Sequence, residues 1–169
     1  MGSDKALLKI DGDPLLVRVA SAVSAAAGRC FVVAPAGRYE DLGVPVVMDQ
    51  WPGEGPLGGI LTALETGEAE WNLIVAVDMP FLCPQFLRGL LDAARAAGQS
   101  LAPVHADGGL EPLCCVYHGG DLDRLRRFFT AGGRRVKDAL REIGVATVPA
   151  VEHALANVNT PEQWKASRS

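Results

Sequence analysis

Asn72-Leu73-Ile74-Val75-Ala76-Val77 is the most continuous strand-like run in the chain, and Asp78-Met79-Pro80-Phe81 follows it directly. An apolar run of this length, rich in branched residues, reads as a strand buried on both faces and therefore as a central one. On its amino-terminal side, Leu57, Ile60, Leu61 and Leu64 recur at helical spacing between Pro56 and Gly67. Farther back, Cys30 to Ala34 and Val44 to Met48 read as short strands. They are preceded by a helix through Leu15, Val19 and Val23, with Pro14 in its first turn and its end near Gly28. On the other side, Pro84 opens a helix through Phe86, Leu87, Leu90 and Leu91. The runs Leu101 to Val104 and Leu113 to Tyr117 flank a hairpin-like loop carrying Asp107, Gly108 and Gly109. Helices over Leu122 to Phe129 and Val136 to Ile143, a strand near Val145 to Val148 and a short helix opened by Thr160 and Pro161 complete the pattern. Helices alternating with short apolar runs predict an α/β fold of three layers with a mostly parallel sheet.

The composition narrows the function. With 169 residues, 49% of them hydrophobic and 21% charged, the chain suits one domain with a substantial core. A formal charge of -4 lacks the basic face that phosphate neutralisation requires, so nucleic acid is not an expected partner. No run approaches the ~18 apolar residues of a membrane helix, and Met1-Gly2-Ser3-Asp4-Lys5 does not open like a signal peptide. Cys30, Cys83, Cys114 and Cys115 have neither zinc-ligand spacing nor the density of a disulfide scaffold, and read as reduced, buried residues. These features together predict a cytoplasmic protein acting on small molecules.

In open α/β sheets, ligands bind beyond the carboxyl ends of strands. Asp78 stands at such an end, where a carboxylate can hold a hard divalent cation against phosphate oxygens or cap the following turn. Gly53-Glu54-Gly55-Pro56-Leu57-Gly58-Gly59 combines glycines that admit a close ligand with a proline that starts a helix, yet such loops also serve as plain connections. Asp49, just after Val46-Val47-Met48, can accept hydrogen bonds from a ribose, a base edge or neighbouring loop amides. Lys5 can neutralise a triphosphate or simply face solvent. The three histidines, His105, His118 and His153, form no ligand-spaced motif.

Four segments occur in order: Met1-Gly2-Ser3-Asp4-Lys5-Ala6-Leu7-Leu8, Gly55-Pro56-Leu57-Gly58-Gly59-Ile60, Val77-Asp78-Met79-Pro80-Phe81 and Asn157-Val158-Asn159-Thr160-Pro161-Glu162. Taken together, they resemble the molybdenum cofactor guanylyltransferases over essentially the whole chain. The resemblance implies a Rossmann-like nucleotidyltransferase fold and transfer of GMP from GTP to molybdopterin, with release of pyrophosphate and Mg2+ as cofactor. It implies that Lys5 and Asp78 are catalytic, with Asp78 the metal ligand and Lys5 a phosphate contact. Asp49 then contacts guanosine, and Gly55, Pro56, Leu57 and Gly58 line the nucleotide. Arg134 and Arg135, which follow Ala131-Gly132-Gly133, resemble a basic pair facing the anionic acceptor, with solvated helix charges as the alternative. Asn157 and Asn159 either help hold the acceptor or cap the final turn. Molybdoenzymes or other cofactor-biosynthesis proteins would be the protein partners.

Two departures accompany the resemblance. Family members normally carry an apolar strand and Leu-Ala-Gly-Gly-x-Ser-x-Arg immediately before the Met-Gly-x-Asp-Lys run, whereas here nothing precedes Met1. The expectation is a single domain over residues 1–169 that is incomplete at its amino terminus, lacking a mid-sheet strand and the glycine loop that would wrap a triphosphate. Either the start is assigned at an internal methionine or the chain is shortened and inactive, leaving a nucleotide- or pterin-binding module. The second departure is Ala34-Pro35, where the family pattern often offers an amide side chain. That leaves cytidylyl transfer to molybdopterin as the nearest competitor, with a sugar-phosphate nucleotidyltransferase as a third reading.

Overall fold

The computed structural model describes residues 4–67 and 69–158. A 3-10 turn over Lys5–Leu7 leads into a small hairpin of β1 (Lys9–Ile10) and β2 (Asp13–Pro14), then helix α1 (Leu15–Ala27). Next come β3 (Val32–Ala34), β4 (Val46–Met48), α2 (Pro56–Thr66), β5 (Trp71–Val75) and α3 (Pro84–Ala97). The order closes with β6 (Leu101–Val104), β7 (Cys114–His118), α4 (Leu122–Thr130), α5 (Val136–Ile143) and β8 (Ala146–Pro149). Helix α1 stops where Gly28 takes the left-handed conformation, and its N–H returns to the Ser24 carbonyl. Pro14 sits at the cap of α1 rather than in its first turn. The helix expected at Thr160 and Pro161 lies outside the described residues.

The three layers follow from alternation along the strands. Cys114 and Val116 of β7 point into an apolar cluster with Leu15, Val19, Leu87 and Leu91 of α1 and α3. Cys115 and Tyr117 point the other way, into a cluster with Leu57, Leu61, Leu125 and Leu140 of α2, α4 and α5. Leu101 and Ala102 of β6 divide between the same two clusters. A period of two thus splits one sheet between two helical layers.

The sheet refines the sequence reading in one respect and corrects it in another. It is mixed: β3 pairs with β4 and β6 with β8 in parallel, but β7 is antiparallel to both β5 and β6. The connection from β6 to β7 folds straight back as a hairpin, which cannot deliver a parallel strand, and β7 inserts between β6 and β5. Strand β5, expected to be central, is not so among the described residues. The four-stranded sheet runs β5-β7-β6-β8, so the most apolar run stands at its edge, with all five residues only half-buried. Strands β3 and β4 form a separate pair. Among the described residues, the side of β5 away from β7 meets a cavity and no strand.

Cysteine burial is uneven. Cys114 and Cys115 are buried as expected, Cys30 is half-buried, and Cys83, the residue just before α3, is exposed, contrary to expectation. All four are free thiols. Burial pushes the Cys115 thiol up to about 12 and raises Cys114 as well, so neither is a nucleophile at neutral pH. No helix among the described residues is long and apolar enough to cross a membrane.

Leu140 is fully buried among the residues that pack α5 onto the sheet. Leu140→Ala is expected to destabilise the protein by about 2–5 kcal/mol, read as a lower denaturant midpoint with an unchanged transition slope.

Candidate active site

Because β7 opposes both β5 and β6, those two strands run the same way, and β8 runs with β6. The carboxyl ends of β5, β6 and β8 therefore open on one edge of the sheet, with Asp78, His105 and residues 150–153 beyond them.

Asp78 is anchored through its backbone. Its carbonyl accepts the Val158 N–H at 2.9 Å, so the Asn157-Val158 segment is clasped to the end of β5. The Pro80 carbonyl accepts from the Arg18 guanidinium at 3.2 Å, tying the same loop to α1. The side chain is a different matter: Oδ1 of Asp78 is buried and has no hydrogen-bond partner among the described residues. A buried carboxylate oxygen left unpaired is costly, and hard cations prefer such oxygen donors. Among the described residues no group of three or more His, Cys, Asp or Glu side chains stands ready for a metal. An ion held here would take Asp78 together with oxygens from its ligands. Asn159 lies outside the described residues.

Asp49 is committed to its loop. Its Oδ1 accepts the Trp51 N–H at 2.9 Å and lies 3.3 Å from the Thr62 hydroxyl. Thr62, fully buried in α2, also accepts from the Gln50 N–H at 3.1 Å and reaches the Gly58 carbonyl at 3.1 Å. One hydroxyl thus pins the exit of β4 against the first turns of α2. The glycine positions are sterically required. Gly55, which caps α2, has φ of 82°, and a Cβ on Gly58 would lie 2.8 Å from Cβ of Trp51. Pro56 occupies the first turn of α2. Leu57 is fully buried in the core, so its side chain packs the fold and faces no ligand.

Arg134 meets this loop. Its guanidinium donates to Glu54 at 2.7 Å and to the carbonyls of Phe129 and Gly133, and it stacks 4.0 Å over the Phe129 ring. Phe129 in turn packs edge-on to Trp51 at 5.1 Å. The turn between α4 and α5 is in this way fastened to the glycine loop. Arg135, the cap residue of α5, is exposed beside it. Lys5 is exposed on the amino-terminal 3-10 turn. That turn is capped by Asp4, whose carboxylate accepts from the Tyr39 hydroxyl at 2.9 Å and pairs with Arg38. Ala6, next to Lys5, and Val77, next to Asp78, line the same cavity.

His105 is the group the sequence did not single out. Its Nδ1 lies 2.9 Å from Glu152 and its Nε2 3.4 Å from Glu111, linking the β6–β7 loop to the segment after β8. The three residues are 6 and 47 positions apart, so no local motif announces them. Donation of a hydrogen bond to Glu152 raises His105 above its ordinary value, with burial opposing and Glu111 adding to the rise.

Residues 1–153 match the family model described as "MobA-like NTP transferase domain". The chain belongs to the MobA-like NTP transferase family. A MobA-like relative from Deinococcus radiodurans, described as "Probable molybdenum cofactor guanylyltransferase", is 37% identical over 161 residues, covering 95% of this chain and 83% of that one. A Nostoc protein of the same description is 35% identical over 170 residues, with 96% and 81% covered. Among solved structures, molybdopterin-guanine dinucleotide biosynthesis protein A from Archaeoglobus fulgidus superposes with a TM-score of 0.78 at 25% identity, covering 96% of this chain and 88% of that one. The MobA-like fold extends to 2-C-methyl-D-erythritol 4-phosphate cytidylyltransferase from Thermus thermophilus, with a TM-score of 0.76, 19% identity, and 98% and 92% covered.

The His105 link has a definite pH sense. A raised folded value means that its stabilisation is complete below the unfolded value near 6.5 and is lost as pH rises through the folded value. Proton NMR titration should place His105 above about 6.5, and Glu152→Gln should lower it.

Proposed function

We propose that this chain transfers GMP from GTP to molybdopterin, forming the dinucleotide and releasing pyrophosphate. The observation that carries the reading is the buried, unpartnered Asp78 oxygen at the shared strand edge, in a chain whose relatives are described as molybdenum cofactor guanylyltransferases. An oxygen of the terminal phosphate of molybdopterin attacks the α-phosphorus of GTP. The bond from that phosphorus to the bridging oxygen breaks, and pyrophosphate leaves. The chemistry asks for alignment and charge neutralisation rather than a protein nucleophile.

Asp78 fits Mg2+ as a hard oxygen donor, and the ion when bound offsets negative charge on the phosphate oxygens. Lys5 neutralises charge on the departing phosphates from the amino-terminal turn. The α2 loop presents the backbone of Gly55, Pro56, Leu57 and Gly58 to the nucleotide, since the Leu57 side chain is in the core. Asp49 serves the guanosine side by fixing that loop through Oδ1, with its second oxygen available to the nucleoside. Arg135, beside the anchored Arg134, supplies the positive charge for the acceptor, and Asn157 borders Asp78 on the acceptor side. The protein works in the cytoplasm and hands its product to molybdoenzymes or other cofactor-biosynthesis proteins.

The test is dinucleotide formation by purified protein given magnesium, molybdopterin, and GTP or CTP. Product from GTP in preference to CTP is expected, and Asp78→Asn should cut turnover by roughly a hundredfold or more while leaving the unfolding midpoint nearly unchanged. Preference for CTP would make it a cytidylyltransferase. Product with sugar phosphates alone would move it to that class, and bound nucleotide without any product would make it a binding module.

A further inference from the structure

Glu54 stands between Gly53 and Gly55, which take positive φ of 84° and 82°. Glycine on either side leaves the backbone at Glu54 wide conformational freedom, so the shape of the loop ahead of α2 depends on side-chain contacts. Within the loop the hub is Trp51. Its N–H donates to Asp49 at 2.9 Å, its carbonyl accepts the Glu54 N–H at 3.1 Å, and its Cβ leaves no room for one on Gly58. Two contacts then reach the loop from the α4–α5 turn. The Phe129 ring packs edge-on to Trp51 at 5.1 Å, and Nε of Arg134 donates to Glu54 at 2.7 Å. Arg134 makes these a single unit. Its guanidinium lies 4.0 Å over the Phe129 ring, and its Nη1 donates to the carbonyls of Phe129 at 2.7 Å and Gly133 at 2.9 Å. Three hydrogen bonds and a ring face thus engage this guanidinium, and turning it toward an anionic acceptor would break them.

We propose that Arg134 is a positioning residue for the nucleotide: through Glu54 directly, and through Phe129 and Trp51, it holds the loop whose backbone receives GTP. The proposal rests on reading that loop as the nucleotide site, and it separates two arginines that look alike in sequence. Arg134 serves the nucleotide, while Arg135, the exposed cap residue of α5, serves the acceptor. A lysine cannot replace Arg134, because an ammonium lacks the planar fork that spans a carboxylate, two carbonyls and a ring. Nor is the pair there for the stability of the whole fold. The Arg134 and Glu54 side chains are 41% and 46% exposed, and an ion pair so exposed adds little to global stability. Its effect falls on the glycine-flanked loop.

The test compares Arg134→Lys, Glu54→Gln, the double variant and Arg135→Lys in the purified full chain. The first two are expected to raise KM for GTP roughly fivefold, the worth of one charge-assisted hydrogen bond. KM for molybdopterin, kcat and the unfolding midpoint should stay nearly unchanged, as for binding lost equally from ground and transition states. The double variant should be no worse than either single one, and Arg135→Lys should raise KM for molybdopterin instead. Without substrate, amide hydrogen exchange should quicken over residues 50–58 alone in both loop variants. A rise confined to the molybdopterin KM in Arg134→Lys would overturn the inference and return that residue to the acceptor. Additive losses in the double variant would also overturn it, as would faster exchange spread over the whole fold with a lower midpoint. No dinucleotide from the unaltered protein would sink the transfer reading and leave this one to equilibrium dialysis with magnesium and GTP. GTP bound by the unaltered protein and about fivefold more weakly by both loop variants upholds it, whereas GTP bound equally by all three, or by none, overturns it.

Discussion

Strand β7 has to satisfy two helical layers at once. Cys114 and Val116 fill one cluster while Cys115 and Tyr117 fill the other, and all four are buried. A one-residue slip would exchange the two sets and put the Tyr117 ring where Val116 or Cys114 now packs. The register with β5 is thereby fixed from Trp71 opposite His118 to Val75 opposite Cys114. The pairing then sets the direction of β5, and with it the edge on which Asp78 emerges. Buried Ser100 secures the far end by accepting the His118 N–H at 2.8 Å and donating to Asp121 at 2.6 Å. Two polar loops are held there by one satisfied hydroxyl.

The same antiparallel return concentrates polar chemistry at the opposite end. A hairpin from β6 leaves His105 and Glu111 on the edge where β8 releases Glu152, so three groups remote in sequence meet there. Their contacts join the β6–β7 loop to the segment that continues to Val158 and clasps the Asp78 backbone. Holding the edge together is thus shared between a titratable link and a backbone bond.

Helices were legible in the sequence because their signals are local. Pro56, Pro84, Gly28 and the 3.6-residue apolar stripes depend on neighbours within a few positions, and α2, α3 and α5 begin where those residues indicate. Sheet order was not legible. The Leu73 to Val77 run looks central because it is apolar on both faces, but whether it has a partner on each side is a property of distant segments. The hairpin after Val104 was visible, yet its insertion between β5 and β6, which makes the sheet mixed, leaves no mark in the hydrophobic pattern. The place of Asp78 just beyond β5 was readable from the apolar run before it. Leu57 was not, because a motif shared with relatives does not say which members contribute backbone and which contribute core. Arg134 was read either toward the acceptor or as a solvated helix charge, and no local signal announced the hydrogen bond that fastens the α4–α5 turn to Glu54.

The position of Asp78 rests on less support than a carboxylate at the end of a central strand would have. Among the described residues, ladder bonds from β7 hold β5 on one side only, and all five residues of β5 are half-exposed where those of β6 and β7 are largely buried. The Val158 clasp and the Arg18 bond to Pro80 compensate locally by fixing the backbone on either side of the residue. They act on the loop, however, not on the strand that feeds it. An unpaired buried oxygen costs on the order of 1–3 kcal/mol, and that cost is most easily relieved when the surrounding backbone is free to shift. Order in β5 and precision at Asp78 are therefore one problem.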